Sequence, residues 1–456
     1  MMAAIQNEGI VRRTLFNIIY IMSPLRKLFD IPNLIVKIKI KLNSVFVYLT
    51  LIPIPILFFL CAPTLSISDS GLFAAVERIT LPTGVSAQEA SLTSKDGILY
   101  MTWMEQSSAE TKVMFSMKTK TGWSEAVPIY IGYDLFVNWA DFPSIAIFSD
   151  KTIAVHWLQK TGKLGFDYQI NLALSSDHGR TWSNPKILHE DRSAVQHGFV
   201  SMIPNKEKLI TIIWLDGRNY DRKLGDTKIV KEAMQLRATT ITSDGILGTE
   251  VAIDERTCSC CQTSMTVTDK GTVIAAYRDR SDDEIRDISI ARLEQNSWQE
   301  PFTLHDDGWE LSGCPVNGPA ISSIDKLVAV AWFTGAKGVS SVNISFSDDD
   351  GKSFKKPFSI ENKNPIGRVD LEMLSDGDAL VSWVEWIDGN EIINICRATQ
   401  ENGCIAQEQL VSNASNASLN FPQLERINED IYLVWTQPDE NGDNLAMLRL
   451  LPTPPD

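Results

Sequence analysis

SSDHGRTW, residues 175–182, and SDDDGKSF, residues 347–354, share one pattern, Ser-x-Asp-x-Gly-x-(Ser/Thr)-aromatic. The residue types are those of a tight turn. Asp177 and Asp349 can accept hydrogen bonds from backbone N–H groups two residues on, and Gly179 and Gly351 supply the positive φ that closes a hairpin. Trp182 and Phe354 then bury a ring beside the turn. Ser175 and Ser347 open the two octets, every defined position is filled in both, and Pro follows within three residues. Two such octets announce a repeat.

Short apolar strands carrying an aromatic residue recur outward from these turns. They end at Trp103, Trp157, Trp214, Tyr277, Trp332, Trp383 and Trp435, spaced 54, 57, 63, 55, 51 and 52 residues apart. That period is close to the roughly 40 to 50 residues of a four-stranded propeller blade with some longer loops. In each unit a first strand such as PSIAIF or PAISSI leads through a polar turn into the aromatic strand, and a third strand such as INLALS or VNISFS precedes the octet position. The last unit ends after AMLRLL with three strands, so AAVERITLP (residues 74–82) is expected to supply the fourth and close the ring without an open sheet edge. The expectation is an all-β propeller of six to seven four-stranded blades, seven preferred, spanning residues 72–452.

Residues 1–68 read differently. No charged side chain occurs from Leu42 to Ser68, and Lys37, Lys39 and Lys41 precede that run. Basic flank, apolar run and small residues make a signal peptide or a membrane anchor. Residues before Lys37 read as an upstream extension, with Met22 an alternative start. The protein is therefore expected to be exported, whether periplasmic, secreted or anchored, touching a membrane only through this segment. The chain carries −15 overall and +5 within residues 1–44, which leaves −20 on the remainder. Such a surface repels nucleic acid and anionic lipid, so neither is expected as a partner.

Six cysteines follow Cys61. Cys396 and Cys404 flank a short connection on neighbouring strands and suit a disulfide. Aligning the repeats brings the TCSCC stretch (Cys258, Cys260, Cys261) to the central mouth, with Cys314 one unit on and His197 one unit back. Two readings stand side by side. One is a disulfide linking TCSCC to Cys314, as export favours; the other is a thiolate site for Zn or Cu(I), with His197 as a further ligand.

Arg218, Arg278, Arg280 and Arg286, in loops dense with Asp, are candidates for gripping a carboxylate or sulfate, or alternatively for a charge lattice between blades. Asp282, Asp283 and Glu284 offer oxygen ligands for Ca²⁺. Glu89 and Asp141, at adjacent mouth positions, form a possible acid and base pair.

The two octets, with a degenerate third at SMKTKTGW (residues 116–123), resemble the Asp-boxes, or BNR repeats, of the sialidase (neuraminidase) superfamily over residues 72–452. That resemblance implies a propeller in which the boxes are structural. It also implies an exo-sialidase-like activity in which three Arg hold the sialic acid carboxylate and a Tyr–Glu pair and an Asp perform the chemistry. Arg237, Arg278 and Arg368 are the candidates for the Arg cluster. The chain departs from the superfamily pattern in two places: Arg78 in VERITLP does not match the Phe/Tyr-Arg-Ile-Pro motif, and Tyr432, the one tyrosine after Tyr277, falls in a core strand. The resulting expectation is a binding propeller for a small molecule, a glycan or a metal, with a glycoside hydrolase acting on acidic glycans as the alternative.

Overall fold

A computed structural model describes residues 37–42, 45–50, 71–163, 165–219, 233–413, 418–439 and 442–454. The chain divides into two compact units, residues 1–66 and 67–456. In the first, Lys37–Leu42 pairs antiparallel with Val45–Thr50. The rest of the apolar run expected to serve as signal or anchor, from residue 51 to 68, lies outside the described residues, as do residues 43 and 44. Among the described residues no helix is long and apolar enough to cross a membrane.

The second unit is a ring of seven antiparallel blades, numbered here in chain order from the one that starts at Ala87. Each blade runs outward from a first strand on the central channel, as blade 5 does through Ala320–Ile324, Leu327–Thr334, Ser341–Ser347 and Phe358–Ile360. Blade 7 comes from both ends of the ring. Gln423–Ile427, Asp430–Asp439 and Gly442–Pro452 are joined by Phe73–Ile79, with Val76 opposite Leu450. The strand expected to close the ring therefore does so, and the count is seven.

The period of the aromatics has a packing cause. Each sits on a second strand, where Trp103, Trp157, Trp214, Tyr277, Trp332 and Trp383 are fully buried and Trp435 is 2% exposed. Apolar clusters lie at each of the seven interfaces between blades. Trp103 packs with Tyr432, Val434 and Met447 where blade 7 meets blade 1, and Trp383 with Phe333, Val342 and Phe346 where blade 6 meets blade 5. A buried side chain of this size contributes roughly 2–3 kcal/mol, so the interfaces, not the single blades, hold the ring. Three of the indole N–H groups are satisfied locally: Trp103, Trp214 and Trp383 donate to the carboxylate two residues on, that of Glu105, Asp216 or Glu385, at 2.8–2.9 Å.

The two octets are turns between third and fourth strands. The reach of the Asp is longer than two residues. Asp177 accepts from the N–H and hydroxyl of Thr181 (2.9 and 2.6 Å), and Asp349 does the same from Ser353 (3.0 and 2.6 Å). Ser175 and Ser347 bond the Asp carboxylate and accept from the N–H of Gly179 and Gly351. These bonds hold both carboxyls at about 2, below the ordinary 3.8, although burial opposes them at Asp349. Gly179 has φ +80° and lies against the preceding blade, where a Cβ would overlap the Phe115 ring. Trp182 meets that same ring edge-on, with centroids 5.4 Å apart. Phe354 packs on the cluster between blades 4 and 5. Residues 116–123 instead form a plain hairpin, with Thr119 paired to Gly122.

Cys396 and Cys404 are joined across the last two strands of blade 6, with Cα atoms 5.9 Å apart.

Candidate functional site

The channel-facing first strands break register just below the mouth, between Gln88 and Ser91, Gly198 and Ser201, and Gly367 and Asp370. At each break a non-Gly residue adopts positive φ: Glu89 at 57°, Phe199 at 54° and Arg368 at 54°; Asn420 on blade 7 stands at 52°. Bulges of this kind re-aim side chains and are typical of binding and catalytic rims. Repeat alignment pointed to His197 on blade 3, but the bulged residue there is Phe199, two positions on.

Neighbouring blades steady these bulges. Asp141 accepts from the Phe199 N–H (2.8 Å) and the Tyr168 hydroxyl (3.0 Å). Asn317 accepts from the Arg368 N–H (2.7 Å), and the Glu89 N–H donates to Thr436 (3.3 Å). Asn420 donates to the Glu89 carboxylate at 2.8 Å. Burial pushes Asp141 up to about 7 against its two hydrogen bonds. It pushes Glu89 up to about 8, opposed by the Asn420 bond and assisted by Asp443. Glu89 is thus a neutral acid at pH 7.

A cavity of about 620 Å³ opens beside Glu89, between blades 1, 2, 6 and 7, and Gln88, Trp139, Lys160, Arg368, Asn420 and Asp443 contribute to its wall. Trp139 is 40% exposed and stacks on Phe421 with centroids 5.5 Å apart. The Arg368 guanidinium stands 5.1 Å from the Trp139 ring. Nη1 of Arg368 bonds Glu391 (2.8 Å), Ser418 (3.0 Å) and the Asn420 carbonyl (3.4 Å). Among the described residues these are its side-chain hydrogen bonds. Lys160 adds a second cation. A shelf of indole, two cations and a neutral carboxyl can take a ring bearing a carboxylate or sulfate.

The other Arg candidates are engaged inside the protein. Arg278 is 1% exposed, donates to the carbonyls of Asn317, Arg286 and Phe333, and lies 4.8 Å from the Trp309 ring. Arg280 and Arg286 share Glu284, at 2.7 and 2.5 Å. Arg218 and Arg237 share Glu250, at 2.5 and 2.6 Å. These ion pairs are internal to single blades, Glu250 with both Arg partners in blade 3 and Glu284 with both in one loop of blade 4. Asp282 pairs with Arg256 at 3.1 Å and Glu284 is taken, so the expected Ca²⁺ ligands do not converge. Tyr220–Lys223, in one of the Arg-rich loops, lie outside the described residues.

His197 is fully buried among oxygens, not sulfurs. Its Nε2 lies 2.9 Å from Asp191 and 3.8 Å from Asp216, its Nδ1 faces the carbonyls of Tyr168 and Val195, and its ring stacks on His189 at 3.8 Å. The cysteines form a separate group. Cys260 is bonded to Cys314, with Cα atoms 6.0 Å apart, and Cys258 and Cys261 remain as buried thiols with Sγ atoms 3.4 Å apart. The disulfide expected from TCSCC to Cys314 is present, and the Sγ atoms of Cys258, Cys260 and Cys261 lie within 4.8 Å of one another.

Sequence reasoning missed the channel itself. Below the mouth a space of about 440 Å³ is lined by the first strands, and Asp370, Glu372 and Glu425 face it. Burial raises Asp370 and Glu425 to about 7 and Glu372 well above its ordinary value. The signal was legible, because Asp370 and Glu372 alternate along RVDLEM and so must share one strand face.

No family model matches the chain, and no curated protein matches it. Solved structures do match. A PL25 ulvan lyase bound to -[GlcA(1-4)Rha3S]- has a TM-score of 0.53 and 11% identity, covering 84% of this chain and 96% of that one. A second structure of a PL25 ulvan lyase gives 0.52 and 10%, over 84% and 96%. A mutant NanB sialidase from Streptococcus pneumoniae gives 0.45 and 11%, over 82% and 94%. The likeness to the lyases is one of fold, the propeller.

Proposed function

We propose that this protein is an exported propeller that binds an acidic saccharide at its mouth. Residues 1–68 serve as extension and signal or anchor, and residues 72–452 as the propeller. The observation that carries the reading is Trp139, a large ring left 40% exposed on the wall of a 620 Å³ cavity that also presents Arg368, Lys160 and Glu89. A pyranose stacks on the indole, its carboxylate or sulfate meets Arg368 and Lys160, and the neutral Glu89 donates to a ring or glycosidic oxygen. The lyase of like fold was solved with a glucuronate-containing saccharide. That is compatible with this ligand class. Titration calorimetry against sialylated and glucuronate-containing oligosaccharides is expected to give saturable binding at least tenfold tighter than the matched neutral glycans. Equal or absent binding of both sets rejects the reading.

One observation favours turnover as a second reading. A carboxyl held at about 8 is suited to general acid catalysis near neutral pH. Release of fluorophore from a fluorogenic sialoside, lost in Glu89→Gln, would establish a glycoside hydrolase; no release over pH 4–9 leaves binding alone.

A further inference from the structure

Cys258-Ser259-Cys260-Cys261 interleaves two sulfur pairs. Cys258 and Cys261 are 0% and 2% exposed, with Sγ atoms 3.4 Å apart, while Cys314, partner of Cys260, is exposed. The Cys258 Sγ also lies 3.9 Å from the Cys260 Sγ. A thiol pair and a disulfide are therefore in contact, one in the protein interior and one reaching the surface. Nothing in the saccharide pocket uses them.

We propose that these four cysteines are a thiol–disulfide relay, in which the buried Cys258/Cys261 pair passes two electrons through the Cys260–Cys314 bond to an external disulfide. The sulfur of Cys258 attacks Cys260 Sγ, the Cys260–Cys314 bond breaks, and Cys314 leaves as a thiolate that takes a proton from solvent. Cys261 then attacks Cys258 Sγ, its nearest sulfur. The transient Cys258–Cys260 bond breaks, and Cys260 leaves with the proton that Cys261 gives up. One disulfide is lost and one formed, so electrons and protons balance within the chain. Cys314 and Cys260, now thiols, reduce a disulfide of a protein or small molecule, which departs as two thiols while the surface bond re-forms.

The surroundings suit that order of events. A hydrogen bond from Cys261 draws the Cys258 thiol down to about 6 against its burial, and Arg286 and Arg278 assist. Cys258 is the attacking thiolate. Burial holds Cys261 well above its ordinary value, and the negative Cys258 raises it further. Once Cys258 is bonded to Cys260 that charge is gone, and Cys261 is freer to ionise. The Asn317 N–H, 3.4 Å from the Cys261 sulfur, steadies the developing thiolate.

The test is differential alkylation of the full chain equilibrated in glutathione buffers of graded potential and quenched in acid. A first label marks free thiols, a second marks those released by reduction, and fragmentation separates Cys258, Cys260 and Cys261. The expected result is a species with Cys260 and Cys314 carrying the first label and Cys258 and Cys261 the second, absent from Cys258→Ser, while Cys396 and Cys404 stay oxidised. The wild-type titration stands by itself if the variant fails to fold. First label on Cys258 and Cys261 at every potential overturns the relay. So does near-stoichiometric Zn or Cu that shields all four sulfurs from both labels.

Discussion

Replacing Glu89 by Gln tests the mouth electrostatics through stability. The amide copies the shape and neutrality of the protonated acid but cannot ionise. Glu89 ordinarily titrates at 4.5 and is raised to about 8 in the fold by burial, despite the Asn420 hydrogen bond. Between those values the folded chain holds a proton that the unfolded chain has released. Its contribution to stability is thus full below 4.5 and declines as pH rises through 8. At about 1.4 kcal/mol for each tenfold change in proton affinity, the full displacement corresponds to roughly 5 kcal/mol. Water entering the adjacent cavity lowers the effective cost, so about 2–5 kcal/mol is expected. Urea midpoints of wild type and Glu89→Gln, measured from pH 4.5 to 9, should diverge in favour of the variant as pH rises. Asp141, Asp370, Glu372 and Glu425 titrate in both proteins and largely cancel. A gap that stays within about 0.5 kcal/mol across the range refutes the argument.

Trp139→Ala should weaken saccharide binding by tenfold or more in calorimetry while leaving the urea midpoint within about 1 kcal/mol, because the ring is 40% exposed. Gly179→Ala combines an unfavourable positive φ with overlap on the buried Phe115 ring, and should lower stability by about 3 kcal/mol in denaturant titration. Removing residues 1–81 strips Phe73–Ile79 from blade 7 and exposes the edge of Gly442–Pro452; light scattering should detect association, and the thermal midpoint should fall.

The fold was legible because its determinants are local and repeated. The spacing of Trp103, Trp157, Trp214, Tyr277, Trp332, Trp383 and Trp435 reports the blade interfaces, and the shortfall of one strand at the end pointed to AAVERITLP. The site was legible only in part. Glu89 and Asp141 were placed at the mouth and Arg368 among the Arg candidates, but what each does depends on the neighbouring blade. Asp141 is occupied by the Phe199 N–H, whereas Arg368 lines the cavity. Arg278 reads as a ligand-binding residue in a polar loop, yet three carbonyls enclose it. Trp139 carried no periodic signal, since it sits in the connection between blades 1 and 2. Spacing could not separate His197 from the cysteines either, because a shift of two residues along a bulged strand sends a side chain to different neighbours.

The strand that completes blade 7 also fixes how the ring answers to force. Phe73 lies beside Pro452 at the same end of an antiparallel pair. Tension applied between the two ends of the propeller would therefore part those strands like a zipper, loading one hydrogen bond after another instead of all together in shear. The ring is a closed body to solvent but has a built-in seam, and a pull on its ends opens blade 7 while the five interfaces that do not involve it remain packed until the seam has run out.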